Sequence, residues 1–441
     1  MNTDTEQSVL LSGDGNIAVF SDNFRPKIDG VSIAVELLLR EFERRGQLYD
    51  LFTIEWPGEY QDPKNVFRFR SIESWIDSNI RLSVPLNPRY LQRLIQTPYC
   101  LLHSHLPGAT GFLAEGIAEI RQLPHFHTFH TYFRDYRHYI KMLGYEPSPE
   151  LMDKLACWWA NRADFLIAPT EKIRNWLNSL GVDVEMRVIP SGLDLTDFVA
   201  KNKDKSYLVE RGFVESGDFV LLYVGRLAKE KAVDELIVNF THALEFIKQA
   251  RGDFRQIKLV IVGDGSARGE LEELVRARGL EKAVIFTGFI DSREIHRVYH
   301  AADVFVFLST SETQGLVVVE AMASGLPLLL AEDEAYTEMI DERQNGFVIR
   351  MRGDFVDAVR YLIDKPALCE EQGEKSRAKA GRFDIRRTTD ELVKYYQYGV
   401  EKWQQTRKRR VYETVGFGPK KVMEKINGLK SEVGRLFNNH V

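Results

Sequence analysis

Short apolar runs alternate with longer amphipathic stretches, in two successive series, from Asn16 to about Ala331. "NIAVFS" (Asn16–Ser21) is a run that reads as a buried strand, and "GVSIAVELLLREFERRG" (Gly30–Gly46) carries apolar residues at helical spacing. "YDLFTI", "PYCLLHS", "PHFHTF" and "DFLIAP" repeat the strand pattern, and "MRVIPSGLD" (Met186–Asp194) closes the first series. The second series opens with "DFVLLYVG" (Asp218–Gly225) and a helix near Lys231–Gln249. It continues through "IKLVIVG", "LEELVRARG", "AVIFTGF", "REIHRVYH", "DVFVFLS", "SETQGLVVVEAMASG" and "LPLLLA". Strands alternating with helices imply parallel sheets covered on both faces. A single core stops growing well before 441 residues. The expected fold class is therefore α/β, with two Rossmann-like doubly wound parallel-sheet lobes facing a cleft. Ligands in such sheets bind beyond the carboxyl ends of the strands.

Polar, turn-rich "KNKDKS" and "VESGD" mark the join. They divide the chain into an N-terminal lobe, 1–200, and a C-terminal lobe, 201–384. A long helix follows over 385–403 and a basic amphipathic tail over 404–441. The formal net charge of -5 gives no global argument for nucleic acid, and none is expected as a partner. From Glu401 to Val441, however, ten Lys/Arg stand against four Asp/Glu. Cys100, Cys157 and Cys369 are odd in number and scattered, so neither a disulfide framework nor a cysteine metal site is expected. No apolar stretch reaches ~18 residues, and Met1–Gly15 lacks the basic and apolar regions of a secretion signal. A cytoplasmic location is the expectation, with a peripheral position on the inner face of the cell membrane still open.

Five stretches carry chemistry. In "SETQGLVVVEAMASG" (Ser311–Gly325), Glu312 and Glu320 flank Gly315 at a strand-to-helix corner. A helix start there presents free N–H groups, which suit phosphate, and the two carboxylates are acceptors for sugar hydroxyls. The alternative is a solvated loop acid and a helix-surface acid. In "YVGRLAKEKAVDELI" (Tyr223–Ile237), Arg226 and Lys231 follow a strand end at Gly225 and could neutralise a diphosphate. A basic turn paired with Glu230 is the alternative. "VGDGSARGEL" places Gly263 and Gly265 in a tight turn, without the GxGxxG spacing of a dinucleotide fold. Gly30 opens the first helix of the chain, either near a phosphate or as an ordinary start capped by Asp29. "HFHTFHTYFRDYRHYI" (His125–Ile140) carries three histidines near a strand end. A zinc site is one reading, but no matching Cys/His spacing lies elsewhere, and no metal is expected. Tyr132, Phe133, Tyr136 and Tyr139 could share one helix face, as core or as an acceptor or membrane face beside Arg134, Arg137 and His138.

In combination these stretches resemble retaining glycosyltransferases of family 4, which have the GT-B fold. The resemblance runs from about Asn16 to Trp403. It rests on Glu312 with Glu320 (the family's "EX7E" motif), "GRLAKEK" with Arg226 and Lys231, "VIPSGLDLTDF", "FTGFI" and "TFHTYF". Ser191 stands where the family commonly has Asn, and Gln314 where many members have an aromatic. The resemblance implies that Arg226 and Lys231 hold the diphosphate and stabilise the leaving group. It gives Glu312 to donor-sugar hydroxyls, Glu320 to ribose hydroxyls, and His130 a place facing the donor sugar. Backbone groups of Gln314, Gly315 and Leu316 would meet sugar and phosphate, and that of Ile290 the base. Gly30, Gly225 and Gly263 complete the expected donor site. The first lobe would take the acceptor and the second the nucleotide sugar, with the 385–403 helix crossing back to the first. The chemistry implied is transfer with retention from a UDP- or GDP-sugar, with no cofactor and no metal.

"FRPKIDGV" and "FHTYFRDYRHY" resemble the branch that glycosylates lipids or lipid-linked acceptors. In the tail, Val422, Ile426, Leu429, Val433 and Leu436 fall on one helical face with Lys421, Lys425, Lys430 and Arg435 around it. Such a helix suits an anionic membrane, or packs on the protein's own lobe; Gly428 and Gly434 weaken it. The expected function is hexose transfer to a membrane-associated lipid or lipid-linked acceptor. The alternatives are transfer to a soluble sugar and a non-catalytic nucleotide-sugar-binding scaffold. A dinucleotide oxidoreductase is disfavoured by the missing GxGxxG.

Overall fold

Continuous apolar runs become the strands of two separate parallel sheets, as described in a computed structural model for residues 15–74, 80–134, 146–199, 203–251 and 256–411. The polar start of the chain, the aromatic and basic residues Tyr136–Tyr139, and the amphipathic tail beyond residue 411 lie outside the described residues. The first sheet uses β1 (Asn16–Phe20), β2 (Tyr49–Ile54), β3 (Val66–Phe69), β6 (Tyr99–Ser104), β7 (His125–Thr128), β8 (Phe165–Ala168) and β9 (Met186–Val188). Its order is β3-β2-β1-β6-β7-β8-β9. The short antiparallel pair β4 (Ser71–Glu73) and β5 (Arg81–Ser83) stands apart. The second sheet uses β10 (Phe219–Val224), β11 (Ile257–Val262), β12 (Val284–Gly288), β13 (Val304–Phe307), β14 (Leu328–Ala331) and β15 (Gly346–Ile349). Its order is β12-β11-β10-β13-β14-β15. Both orders reverse beside the first strand of the sheet, which opens a crevice at the carboxyl ends: between β1 and β6, and between β10 and β13.

Burial on both faces explains why these strands read as unbroken apolar runs. Leu222 of β10 lies between Val260 and Phe305 of its neighbours, and all three are fully buried. Helices Val233–Arg251 and Leu316–Ala323 help cover this sheet, sending Phe240, Val318 and Met322 into its core. Four strands were not legible as such. β3 is interrupted by Arg68 and, like β15, is only half buried, and the β4–β5 pair has its apolar face outward: Ile72 pairs with Leu82, and both are exposed. The helix expected from Lys231 starts at Val233. A 3₁₀ turn over Lys229–Lys231 precedes it, and Ala232 takes a left-handed conformation with φ of 51°.

The chain divides into two units, Met1–Tyr395 and Tyr396–Val441. Within the first, the segment after β9 crosses to the second sheet and is gripped by the start of the helix Ile385–Val411. Leu193 N–H donates to Phe383 O and Ile385 N–H to Leu193 O, both at 2.9 Å. Tyr395 packs edge-on against Phe126 and Phe165 of the first sheet and donates to Glu185 O at 2.9 Å. In the second unit, residues 396–411 continue that helix. Among the described residues, no helix is long and apolar enough to cross a membrane.

Candidate active site

The corner after β13 brings the two glutamates into one cleft. Residues 308–314 leave the strand, Gly315 takes φ of 77°, and the helix Leu316–Ala323 begins. A left-handed φ favours glycine, and a Cβ there would stand 3.2 Å from the Tyr336 ring. Tyr336 is itself fixed, donating to Ser309 O at 2.7 Å. Val318 N–H closes onto Gly315 O at 3.0 Å, and the N–H groups before it have no acceptor within the helix, so the corner presents donors and partial positive charge to the cleft. Glu312 and Glu320 both line it.

The carboxyl end of β10 supplies the cations. Lys231 Nζ donates to Glu312 Oε1 at 2.5 Å and to Ser311 Oγ at 3.3 Å. Arg226 pairs with Glu230 at 2.7 Å, so the ion pair considered as an alternative from the sequence is present, and Arg226 still lines the cleft. Two cations and two carboxylates thus stand paired at the switch point of the second sheet. An incoming diphosphate would meet Arg226 and Lys231 in competition with Glu230 and Glu312.

Gly225, Gly263, Ile290, Gln314, Gly315 and Leu316 also line this cleft of about 1500 Å³, as do Gly30 and His130 from the first lobe. All twelve residues anticipated from the sequence are therefore brought together. Gly263 has a packing reason as well: φ is 128°, and a Cβ would sit 2.0 Å from Gly225 O. The glycines of "GDG" let this turn lie against the backbone that carries Arg226. Gly30 has no such constraint, with nothing within 4 Å of a built Cβ. Asp29 caps this helix in a reciprocal pair with Ser32, at 2.8 Å each way.

Gln314 lines the cleft, and its side chain is buried against the segment joining the lobes: Oε1 accepts from Ser191 N–H at 2.8 Å and Nε2 donates to Ser191 O at 2.9 Å. The residue that departs from the family's aromatic therefore clamps the other departure, Ser191, in the segment joining the lobes. Thr170 Oγ1 donates to Thr313 O at 2.7 Å, and Lys172 reaches Thr310 O and Asp333 at 2.8 Å, so the same corner is held from the first lobe.

Glu320 meets a partner that the sequence did not reveal. Tyr299 Oη donates to its Oε2 at 2.6 Å, and burial pushes the carboxyl up to about 7. The tyrosine hydrogen bond opposes that shift without cancelling it.

On the first lobe, the histidines form a buried network. His125 and His127 share Ser104 Oγ at 2.7 and 2.8 Å, and Trp159 Nε1 donates to His127 Nε2 at 2.9 Å. Both His127 nitrogens are thus engaged, which removes them as zinc ligands. No group of three or more potential metal ligands is found among the described residues. His105 and His103, not singled out from sequence, complete the cluster: His105 Nδ1 meets His130 Nε2 at 3.0 Å, and the His103 ring lies tilted by 44° beside His105, 4.1 Å between centroids. Burial is the largest influence on all five and lowers their pKa values, His125 and His130 to about 4. All are neutral at pH 7. Tyr132 and Phe133 pack on Trp176 and Phe129, both remain partly exposed, and Phe133 also lines the cleft.

Residues 28–197 match Glycosyltransferase Family 4 and residues 208–379 match Glycosyl transferases group 1. D-inositol 3-phosphate glycosyltransferase 2 of Catenulispora acidiphila is 31% identical over 316 residues, covering 69% of this chain and 71% of that protein. The chain belongs to the family 4 glycosyltransferases. This glycosyltransferase is also 28% identical, over 364 residues, to alpha-monoglucosyldiacylglycerol synthase of Acholeplasma laidlawii, covering 80% of this chain and 89% of that one. Among solved structures, Anabaena Alr3699/HepE in complex with UDP and glucose superposes with a TM-score of 0.67 at 19% identity, covering 87% of this chain and 99% of that one. At that identity the likeness shows the shared GT-B fold.

Proposed function

We propose that this glycosyltransferase moves a hexose, with retention, from a nucleotide diphosphate sugar to a membrane-associated glycerolipid. The observation that carries the reading is an apolar stretch of the first-lobe wall, set beside ion pairs such as Arg25–Glu36 on that lobe and Lys231–Glu312 on the other. This stretch of wall is made by Leu106, Phe112, Leu155 and Trp158, and Phe112 is 42% exposed. A sugar or inositol phosphate has little use for such a wall, whereas acyl chains lose apolar area to it. The relatives that synthesise monoglucosyldiacylglycerol support the same acceptor class.

In this reading the diphosphate takes Arg226 from Glu230 and shares Lys231 with Glu312. Negative charge developing on the leaving phosphate is met by these two cations and by the N–H groups at Gly315 and Leu316. Glu312 accepts from donor-sugar hydroxyls, Glu320 from the ribose, and His130 faces the sugar from the first lobe. The acceptor hydroxyl attacks from the side the phosphate leaves: its oxygen bonds to the sugar carbon as the bond to the phosphate oxygen breaks, and its proton passes to that departing oxygen. No step is assigned to a metal. The basic composition of 404–441 supports attraction to an anionic bilayer and, with it, a peripheral position.

The test is nucleotide release from UDP- and GDP-hexoses, with and without anionic vesicles containing diacylglycerol. Release that depends on one donor and on the vesicles supports the reading. Equal turnover on a water-soluble sugar without vesicles overturns the lipid acceptor.

A further inference from the structure

His105 sits one residue beyond β6, and its backbone N–H is tied to Phe20 O of β1 at 2.9 Å. His130 sits two residues beyond β7. The rings face each other at 5.3 Å between centroids and 23° between planes, with His105 Nδ1 and His130 Nε2 3.0 Å apart. A neutral imidazole carries one proton, so one of these nitrogens donates and the other accepts. The other nitrogen of His105, Nε2, is buried with no hydrogen-bond partner, and His105 as a whole is 3% exposed.

That orphan atom decides the direction. If His130 donated, His105 would carry its own proton on Nε2 and bury an N–H with no acceptor. If His105 donates from Nδ1, Nε2 is a bare lone pair. Orphaned buried N–H groups are the rarer of the two in folded proteins, and leaving one unmade forfeits its bond to water. We propose that His105 is a positioning residue: its Nδ1–H donates to His130 Nε2 and fixes His130 as the tautomer protonated on Nδ1, the ring nitrogen left to the cleft.

The consequence is chemical. His130 then offers the cleft a hydrogen-bond donor and no lone pair, so it can hold a sugar oxygen but cannot accept the proton of the attacking hydroxyl. With burial also holding the ring unprotonated at neutral pH, it does not act as a general acid. This rests on the reading that His130 faces the donor sugar. The tautomer itself can be determined without that reading.

The experiment uses the full-length protein, labelled with 15N at histidine, with UDP present. The His130 signals are assigned by their loss in His130→Gln. In the wild type they should show Nδ1 protonated and Nε2 bare. In His105→Ala the ring should lose that preference, and kcat should fall roughly 10- to 100-fold, as for other histidines stripped of an orienting partner. KM for the donor and UDP binding should change little, which also reports that the variant is folded. His105→Asn, whose amide nitrogen can occupy the Nδ1 position, should restore both the tautomer and most of kcat. Nε2 protonated in the wild type, an unchanged tautomer in His105→Ala, or failure of His105→Asn to restore it, each overturns the proposal. Full transfer by His130→Ala would overturn the sugar-facing role alone, leaving the tautomer result to stand by itself.

Discussion

Two polar clusters, one on each lobe, handle polarity in opposite ways. On the second lobe, Arg226, Glu230, Lys231 and Glu312 are charged, partly exposed and paired with one another. On the first, His103, His105, His125 and His127 are buried, His130 is part-exposed to the cleft, and the five are bound to hydroxyls, an indole and each other. A charged wall can trade one ionic partner for another at little cost in desolvation, which suits a diphosphate that must arrive and leave. A neutral, buried cluster fixes the geometry of the ring it holds. In the proposed function, leaving-group chemistry would fall to one lobe and orientation to the other.

The sharpest way to break this division is to remove its charges. Lys231→Ala should lower kcat by about 10²- to 10³-fold, the scale of deleting one electrostatic donor to developing charge. Glu312→Ala should lower it comparably while leaving the thermal midpoint nearly unchanged. Wild-type-like turnover in either variant would dismantle the assignment. Trp158→Ser on the opposite wall should behave differently. It should raise KM for diacylglycerol in vesicles about tenfold or more, from the loss of ~1.5–3 kcal/mol of apolar contact, and leave nucleotide affinity alone.

Glu320 gives a pH-dependent test. Its folded pKa near 7 lies above the ordinary value of 4.5, so between those values the folded state binds more protons than the unfolded one. Its contribution therefore falls as pH rises through that window. The loss is at most on the order of 3 kcal/mol, and less to the extent that water reaches the carboxyl from the cleft. Glu320→Gln should flatten this part of the stability profile, measured by urea titration from pH 5 to 8. It should also remove the rise in UDP affinity expected as the wild-type carboxylate ionises. A profile unchanged by the substitution would place the pKa elsewhere.

The strand ends and the corner after β13 were legible because burial on two faces writes itself as unbroken apolar sequence, and because glycine and charged residues punctuate where it stops. The β4–β5 pair escaped because Ile72 and Leu82 face outward. His105 was hidden at the tail of an apolar run, and its meaning depends on a ring brought to it from the next strand. Tyr299 looked like a residue of an amphipathic helix until its hydroxyl was found on Glu320. Gln314 was recognisable as unusual, but its partner, 123 residues away, was not.

Two smaller tests address how the walls are joined. Gln314→Ala leaves the Ser191 N–H and C=O without their side-chain partners, which should cost about 1–3 kcal/mol by denaturant titration. Ala232→Gly relieves a left-handed alanine beside Lys231 and should stabilise by at most about 1 kcal/mol. If it also lowers kcat, the strained turn is holding the lysine in place.

The clasp between Gln314 and Ser191 has a kinetic corollary. The segment joining the lobes is fastened to the same corner that, in the proposed function, holds the sugar nucleotide. If nucleotide leaves by loosening that clasp, its departure becomes the slow, mechanical step of the cycle. Turnover should accordingly fall as solvent viscosity is raised, while a first round of transfer, monitored before any nucleotide departs, keeps its speed.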